Sequence, residues 1–319
     1  MKKLERASMR LLEIFILYLD KTPEKKYSLE RMHQSVTVNA LAKINLGLQV
    51  LPKRNDGYHN LVSIFTTVNV ADSITVALTE NKNTCSVECS GMELPLENTF
   101  TKSYKAFCVL TGADCGCYVK VTKRIPSGGG LGGGSSDSST FLKSIDNLCG
   151  TNLSDKAMLD VAGQVGSDCY FFTHALLAKK ETGRFTAVLT GRGEEVRQIA
   201  SRSDYFVLLV FPNVFVSTKE AYSLVDECKK NEDVLTGEQL EKIYNGPIEK
   251  WNFVNDFTIP VCSKFPKVAE ALDDVKETGA LFADMSGSGS TVYGVFLNKE
   301  DAVAAKKALS KKWNVMLAF

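Results

Sequence analysis

The chain has 319 residues, of which 44% are apolar and 24% are charged, and its 38 basic residues nearly balance its 37 acidic ones. This apolar fraction excludes a disordered chain, and the length suffices for a sizeable core and about two domains. A net charge of +1 argues against a strongly basic protein that binds nucleic acid or a membrane surface.

We expect the first 35 residues to be an extension that consists of an amphipathic helix and a polar linker. Apolar residues recur there at three-, four- and seven-residue steps. The longest apolar run, residues 11–19, contains Glu13 and is far shorter than the roughly 20 residues that span a bilayer. No small-residue cleavage site follows it, and the acidic residues disfavour a transit peptide, so we expect no membrane partner.

The chain contains nine cysteines but only three histidines. Because nine is odd and no export signal is visible, free thiols in a reducing cytosol are favoured over a disulfide framework. Cys115 and Cys117 are separated by a single residue, which is not the spacing of a zinc site. We therefore expect a cytoplasmic location and no structural zinc site.

In chain order, the first predicted element is a strand over residues 36–50, because apolar side chains occupy every even position. Lys43 and Asn45 then share the opposite face, with Gly47 beyond them. A lysine on a strand usually faces solvent, but two polar groups beside a glycine are also typical of a cleft wall. Tyr58 and His59 follow at once after an Asp-Gly turn.

The rest of the chain alternates strand and helix patterns with no internal repeat. Strands are predicted over residues 61–70, 73–78, 116–122, 205–211, 281–284 and 291–296, with a hairpin over 176–189. Helices are predicted over residues 98–110, 138–148, 154–165, 218–228, 238–244, 266–277 and 299–312. The mixture predicts an α+β fold with a break near residues 200–204, and hence domains over 36–203 and 204–319.

A glycine-rich loop at residues 127–136 is the strongest local signal in the chain. Six glycines around one leucine lose much backbone entropy on folding, and the best-known reason for such a run is close approach of backbone N–H groups to phosphate. Ser135 and Ser136 then open a helix, which they are placed to cap. The alternative, a flexible linker, is disfavoured because strand and helix patterns flank the loop closely.

The loop differs from three other phosphate-binding motifs. A Walker A loop is excluded because no Gly-Lys-Ser/Thr follows. A dinucleotide fingerprint is rejected because four residues, including Pro126, separate the strand from the first glycine, and Asp146 lies mid-helix. A protein-kinase loop lies between two strands, whereas this loop precedes a helix.

The segment from Pro126 to Asp137 resembles the ATP-phosphate motif of the GHMP small-molecule kinases. Three further blocks agree in order and spacing, namely residues 42–46 with 56–59, residues 166–169 and residues 285–290. The long glycine run and the Gly-Tyr-His block resemble the branch that acts on 4-diphosphocytidyl-2-C-methyl-D-erythritol in the non-mevalonate route to isoprenoids. Leu41, Cys169 and Tyr170 depart from that branch's pattern without removing a polar group that the chemistry needs.

The resemblance implies a two-domain GHMP kinase fold with the active site in the cleft between the domains. It implies ATP-dependent phosphorylation of the substrate's 2-hydroxyl, with Mg²⁺ accompanying ATP. It gives catalytic roles to Lys43 and Asp168, although an Asp after Gly-Ser is more often a helix cap. Beside Lys43, Asp168 would stay ionised near neutrality, because a nearby cation favours the carboxylate.

The resemblance also assigns binding residues. The ATP phosphates are assigned to Pro126, Gly128, Gly129, Gly130, Leu131, Gly132, Gly133, Gly134, Ser135 and Ser136. The cytidine diphosphate substrate is assigned to Asn45, Tyr58, His59, Phe65, Thr218, Tyr222, Gly287, Ser288 and Gly289. For Phe65, core packing is an equal alternative, because its strand neighbours are apolar.

Several functions stay open from the sequence. Another GHMP kinase, of the homoserine or mevalonate type, and a non-catalytic nucleotide-binding protein of the same fold are the main alternatives. A dehydrogenase rests only on the rejected fingerprint. We expect a small-molecule substrate and no nucleic-acid partner, with a monomer and a homodimer both possible.

Overall fold

The computed structural model describes residues 34–178, 183–228 and 234–318, and every structural statement below refers to those ranges. The predicted amphipathic helix and nearly all of its linker lie outside them. Thr182, at the centre of the predicted hairpin, also lies outside the described residues.

Six strands form the first sheet. They are β1 (Ser35–Lys53), β2 (His59–Thr79), β3 (Cys85–Cys89), β4 (Gly116–Thr122), β5 (Thr186–Thr190) and β6 (Glu195–Ile199). Their order is β3-β4-β2-β5-β6, and β1 pairs with β2 along most of its length. Pairing is antiparallel except between β3 and β4.

Four helices accompany this sheet, and they are α1 (Thr99–Thr111), α2 (Gly133–Cys149), α3 (Asp155–Gly163) and α4 (Asp168–Leu177). Helix α1 starts one residue after the predicted start at Asn98, which caps the helix because its side chain accepts from the backbone N–H groups of Phe100 and Thr101. The buried side chains of α1 and α2, among them Phe107 and Phe141, pack with Val119 of β4 in one apolar cluster.

Four strands form the second sheet in the order β10-β7-β9-β8. They are β7 (Phe206–Phe211), β8 (Phe282–Met285), β9 (Val292–Phe296) and β10 (Asn314–Ala318). The helices of this half are α5 (Thr218–Glu227), α6 (Gly237–Asn245), α7 (Thr258–Lys264), α8 (Pro266–Glu277) and α9 (Lys299–Leu309). The predicted α+β class is therefore confirmed.

The two sheets share a core. One apolar cluster contains Ile44 and Val62 of the first sheet together with Leu209 and Tyr293 of the second. This shared core packs β1 against the second sheet. It therefore explains why part of β1 is buried on both faces, where the sequence predicts a half-buried strand. The predicted boundary between residues 203 and 204 falls between the last strand of one sheet and the first strand of the other, and it stays a prediction.

Strands β1 and β2 are longer than predicted. From residue 42 to residue 50 both faces of β1 are buried, so the even-residue alternation describes only its first half as a half-buried strand. Gly47 has a φ of +69° at a register shift, which places Leu46 and Leu48 in different apolar clusters. Strand β2 runs unbroken through Asp72, where two strands were predicted, because hydrogen bonds satisfy the buried carboxylate.

Two predicted elements have the wrong bounds, namely the helix that follows the glycine loop and the hairpin. Helix α2 begins at Gly133, five residues before the predicted start, because glycine gives no apolar period to detect. The predicted hairpin over residues 176–189 begins inside helix α4, whose apolar side chains are buried on nearly all sides and so show no helical stripe. The hairpin that forms joins β5 to β6 instead.

Candidate active site

A cleft of about 450 Å³ lies beside the glycine loop. Its walls come from β1, β2, the glycine loop, α2 and α4 in the first half, and from α5 and a second glycine loop, residues 285–290, in the other half. Most of the predicted site residues line it, namely Lys43, Phe65, Pro126, Gly128, Gly129, Gly130, Leu131, Gly132, Gly133, Gly134, Ser135, Asp168, Thr218, Tyr222, Gly287 and Ser288. The structure therefore brings residues far apart in the sequence to one cavity.

The N-terminus of α2 opens into this cleft without a side-chain cap. Gly132 is the N-cap residue, with a φ of +70°, and no side chain accepts a hydrogen bond from the first turn. The expectation that Ser135 and Ser136 cap the helix is wrong, because both lie inside it. The first N–H groups of a helix have no intrahelical acceptor, so this end is a ready anion site.

Close backbone contacts explain two of the glycines. A Cβ on Gly130 would lie 1.9 Å from the carbonyl oxygen of Ser286, and one on Gly132 would lie 2.7 Å from the Phe172 ring. Both glycines also have positive φ angles, which favour glycine. The first glycine loop is thereby packed directly against the second, at residues 285–290.

Lys43 occupies the centre of the cleft wall. Its Nζ donates to Asn45 Oδ1 at 2.5 Å and to the Gly130 carbonyl at 2.8 Å, and it lies 4.6 Å from the centroid of the Phe65 ring. Only 3% of Lys43 is exposed. This burial lowers its pKa, and the negative charge of Asp168 partly opposes the effect.

Asp168 is the first residue of α4 and is half-buried beside the cleft. No side chain caps α4, so the reading of Asp168 as a helix cap finds no hydrogen bond to support it. Its charge reaches both Lys43 and Tyr222, since it affects the pKa of each. The arrangement places a carboxylate opposite a buried cation across one cavity.

A second wall of the cleft is aromatic. The rings of His59 and Tyr222 are stacked with centroids 5.3 Å apart and an angle of 22°, and the edge of Phe257 meets Tyr222 at 4.9 Å. The His59 ring is held at one nitrogen, because Nδ1 lies 2.8 Å from the Leu51 carbonyl oxygen, whereas Nε2 lies 3.3 Å from Asp226 Oδ1 but makes no hydrogen bond. Burial, together with the charge of Asp168, raises the pKa of Tyr222 to about 12.

Five of the predicted site residues do not line the cavity itself, namely Asn45, Tyr58, His59, Ser136 and Gly289. Asn45 and His59 lie behind the cleft wall and contact residues that line it. Asn45 accepts a hydrogen bond from Lys43, and His59 stacks on Tyr222. Tyr58 is 55% exposed, and the Arg192 guanidinium lies 4.1 Å from the centroid of its ring. Tyr58 is thus an exposed ring next to the aromatic wall.

The second glycine loop is held by side chains that the sequence did not single out. Asn255 Nδ2 donates to the carbonyl oxygens of Met285 and Gly287 at 2.8 and 2.9 Å. On the cleft side, Thr218 Oγ1 lies 3.5 Å from Ser288 Oγ. Asn255 was missed because its partners are distant in the chain, and a lone buried asparagine carries no motif.

The sequence reasoning also missed an ion cluster beside the glycine loop. Lys123 Nζ bridges the carboxylates of Asp72 and Asp137, and it lies 2.8 Å from Asp137 Oδ2. Asp72 also accepts from the backbone N–H groups of Arg124 and Ile125, just before the loop. Lys123 and Asp137 line the cleft.

The charges in this ion cluster shift each other's pKa values. Burial raises the pKa of Asp137 to about 7, and its Oδ1 is buried with no hydrogen-bond partner. Burial alone would lower the pKa of Lys123, but the two carboxylates outweigh it and raise the pKa. The only sequence signal for this cluster is the position of its members beside predicted elements. Lys123 directly follows a predicted strand, and Asp137 directly follows Ser135 and Ser136.

No group of three or more His, Cys, Asp or Glu side chains within the described ranges is arranged to hold a metal ion. Among the helices described, none is both long and apolar enough to cross a membrane.

Two protein-family models match the chain. The GHMP kinases N terminal domain matches residues 98–175, and the GHMP kinases C terminal matches residues 246–315. The first match contains the glycine loop and Asp168, and the second contains the second glycine loop.

Curated relatives match nearly the whole chain. It is 37% identical over 289 residues to the 4-diphosphocytidyl-2-C-methyl-D-erythritol kinase of Treponema pallidum (strain Nichols), which covers 88% of this chain and 96% of the relative. It is 32% identical over 286 residues to the kinase of the same name from Thermodesulfovibrio yellowstonii, which covers 87% and 95%.

Solved structures agree in fold. A crystal structure of 4-(cytidine 5'-diphospho)-2C-methyl-D-erythritol kinase matches with a TM-score of 0.73 and 26% identity, covering 89% of this chain and 98% of that one. A homoserine kinase from Cytophaga hutchinsonii matches with a TM-score of 0.64 at 17% identity, covering 93% and 97%. The second likeness concerns the fold alone.

Proposed function

The chain belongs to the 4-diphosphocytidyl-2-C-methyl-D-erythritol kinase family of the GHMP kinases, and from that membership we infer the substrate and the residues that act on it. It is an ATP-dependent kinase of isoprenoid precursor synthesis. We propose that it transfers the γ-phosphate of ATP to the 2-hydroxyl of 4-diphosphocytidyl-2-C-methyl-D-erythritol. One observation carries the assignment of the site: Lys43 Nζ is bonded to the glycine loop while it shares the cleft with Asp168.

The uncapped N-terminus of α2 would bind the phosphates of ATP. Its free N–H groups and the glycine loop supply donors, and the helix dipole adds attraction for negative charge. Lys43 would contact the γ-phosphate from the opposite wall. Phosphoryl transfer depends mainly on such positioning and charge neutralisation, so a buried cation at this point favours the transition state.

Asp168 would accept the proton of the substrate's 2-hydroxyl. A general base must reach the hydroxyl it deprotonates, and Asp168 lies on the cleft wall with Lys43 and Tyr222. When the hydroxyl oxygen attacks the γ-phosphorus, its proton passes to the Asp168 carboxylate and ADP leaves.

The aromatic wall would hold the cytosine base. Tyr222 offers a ring face that is supported from behind by Phe257, and the neighbouring exposed ring of Tyr58 would close over the base. His59 would meet the edge of the base through Nε2, which has no hydrogen-bond partner, while the Leu51 carbonyl engages Nδ1. Thr218, Gly287, Ser288 and Gly289 would surround the diphosphate and methylerythritol parts, and Phe65 would lie beneath them.

Mg²⁺ would enter with ATP as part of the substrate. It neutralises phosphate charge, and it is usually held by one or two carboxylates together with phosphate oxygens and water. The cleft offers the Asp168 carboxylate, which fits such a partial donor set. We further propose a cytoplasmic location, which the odd number of cysteines favours. A monomer and a homodimer are both still possible, and a size-exclusion measurement would distinguish them.

A coupled assay of ADP release tests the substrate. The cytidine diphosphate compound should support turnover, whereas mevalonate and homoserine at the same concentration should not. The Asp168→Asn variant serves as the blank for contaminating kinases. Equal or faster turnover with mevalonate or homoserine would refute the assignment and leave only a GHMP kinase of another specificity.

A further inference from the structure

Six of the nine cysteines lie around β3, β4, α1 and the far end of α2, and of these six only Cys89 lines the cleft. They are Cys85, Cys89, Cys108, Cys115, Cys117 and Cys149, and all six have free thiols. Two pairs among them are in contact, Cys85 with Cys117 and Cys115 with Cys149, and in the second pair Cys149 Sγ donates to Cys115 Sγ at a separation of 2.9 Å. From this contact we infer that Cys115 and Cys149 are a peroxide-reactive thiol pair that closes into a reversible disulfide.

The backbone at both positions is fixed by regular structure. Cys149 is the last residue of α2, which Gly150 ends in the left-handed conformation. Cys115 directly precedes β4, and the Tyr104 hydroxyl donates to its carbonyl oxygen at 2.5 Å. A disulfide needs about 2.05 Å between sulfurs, so the two thiols must approach by only about 0.9 Å.

The two thiols are not equivalent. The hydrogen bond from Cys149 lowers the pKa of Cys115 against the opposing effects of burial and of Asp114. The same hydrogen bond is the largest cause that raises the pKa of Cys149. Cys115 is therefore the thiolate that reacts first, because the thiolate and not the thiol is the nucleophile. Both residues are partly exposed, so a small oxidant reaches them.

The proposed reaction uses hydrogen peroxide as the oxidant. The Cys115 thiolate attacks one peroxide oxygen, the O–O bond breaks, and water leaves after protonation, so that Cys115 becomes a sulfenic acid. Cys149 then loses its proton, attacks the Cys115 sulfur and expels the second water. Two thiols are thus oxidised by two electrons to a disulfide, while peroxide is reduced to two molecules of water.

The order of these steps is consistent with the contact. Once Cys115 is a sulfenic acid, it no longer carries the charge that holds the Cys149 proton, so the second thiol becomes a better nucleophile. The neighbouring pair Cys85 and Cys117, which face each other between β3 and β4, is the internal comparison. Cys117 is only 1% exposed, so peroxide does not reach it from solvent.

The disulfide would enclose residues 115–149 and with them the whole glycine loop. Its position, at the end of α2 opposite the cleft, leaves the catalytic groups in place, since the 17-residue helix is about 25 Å long. We therefore expect kcat to change by less than about twofold on oxidation, while Tm rises by about 5 °C because the unfolded chain is constrained.

Peroxide treatment of the full-length chain tests the proposal. Remaining thiols are blocked with N-ethylmaleimide, and the peptides are identified by mass spectrometry with and without dithiothreitol. We expect a Cys115–Cys149 peptide that is lost on reduction and that is unchanged in the control Cys228→Ser, which removes an exposed thiol. Absence of this peptide, or a dominant Cys85–Cys117 link, would overturn the proposal.

Single variants test which thiol reacts first. With Cys149→Ser, a dimedone probe should trap a sulfenic acid on Cys115 about tenfold more than on Cys149 in the Cys115→Ser variant. The opposite ratio would refute the assigned order. Kinase activity of each variant shows that it is folded, so a missing adduct counts against the pair and not against the fold.

Discussion

Lys43 and Lys123 both lie beside the glycine loop and line the same cleft, yet their surroundings differ. Lys43 has neutral oxygens as its hydrogen-bond acceptors, and burial lowers its pKa. Lys123 contacts two carboxylates, Asp72 and Asp137, and its pKa is raised. A cation that nearby carboxylates have not neutralised retains its attraction for an incoming phosphate, whereas a cation clamped between two carboxylates mainly orders the chain around it.

The difference separates two ways of building a charged site. The cluster around Lys123 ties Arg124 and Ile125, which follow β4, to β2 through Asp72 and so fixes the start of the glycine loop. The oxygens around Lys43 hold its ammonium group in place without cancelling its charge. The first arrangement predicts a structural role and the second a catalytic one, and each prediction below tests that division.

The largest expected effect belongs to Asp168→Asn. This substitution keeps the shape but removes the proton acceptor, so kcat should fall by roughly 10²–10⁴ with nucleotide affinity little changed. Steady-state kinetics check it, with Asp155→Asn as a matched control because Asp155 is also the first residue of a helix but is exposed. Turnover near that of the wild type would return Asp168 to a structural role.

The same variant makes a prediction about pH. Asp168 opposes the lowering of the Lys43 pKa, so its loss should lower that pKa further. If charged Lys43 is required, activity is lost as the pH rises through its pKa, and the alkaline limb of the residual activity should therefore move to lower pH. An unmoved limb would show that Lys43 does not set it.

Exchange of each lysine for methionine contrasts the two sites directly. Lys43→Met should lower kcat by roughly 10²–10³ while Tm changes little, because Ser286 Oγ still donates to the Gly130 carbonyl at 3.0 Å. Lys123→Met should destabilise the fold by about 3–5 kcal/mol, because two buried carboxylates lose their counter-ion. Thermal unfolding and activity per folded molecule, measured on both variants, distinguish the roles. A loss of stability in Lys43→Met with activity preserved would reverse the comparison.

Much of this division could be predicted from the sequence. The alternation over residues 36–50 placed Lys43 and Asn45 on one face, and the two do share a hydrogen bond. The glycine loop was located because its composition is a local signal, and α1 was located to within one residue because its apolar side chains recur at helical spacing.

The remainder depends on contacts that no local pattern encodes. The partners Asp72 and Lys123 are 51 residues apart, and Asn255 contacts a loop 30 residues away. Helix α4 was missed because burial on nearly all sides removes the polar face that periodicity detects. Long-range polar pairs of this kind become visible only in the folded chain.

A smaller effect is expected at the aromatic wall, where neither lysine acts. Tyr222→Ala should raise the KM for the cytidine substrate roughly 5- to 150-fold, which corresponds to about 1–3 kcal/mol of stacking, while the KM for ATP stays nearly fixed. Tyr222→Phe keeps the ring that stacks on His59 and should retain most of the affinity. Equal weakening of both substrates in the alanine variant would indicate a packing role.

The smallest effect concerns Asp137 in the Lys123 cluster. Burial raises its pKa to about 7 in the folded protein, against about 4 in an unfolded chain. The folded state therefore binds the extra proton between these values, so this group's contribution to stability is complete below about pH 4 and is lost as the pH rises through about 7.

Removal of this carboxylate should flatten that dependence. In Asp137→Asn the fall in Tm between about pH 5 and 7 should become shallower by about 2–4 °C per pH unit. The matched control is Asp274→Asn, because its hydrogen bond to Lys312 lowers the pKa of Asp274 and its titration lies below this window. If the two variants show the same slope as the wild type, Asp137 is ionised throughout, and Lys123 is then neutralised by two full negative charges. In that case the contrast with Lys43 becomes sharper, because the clamped lysine would have no positive charge left to offer a phosphate.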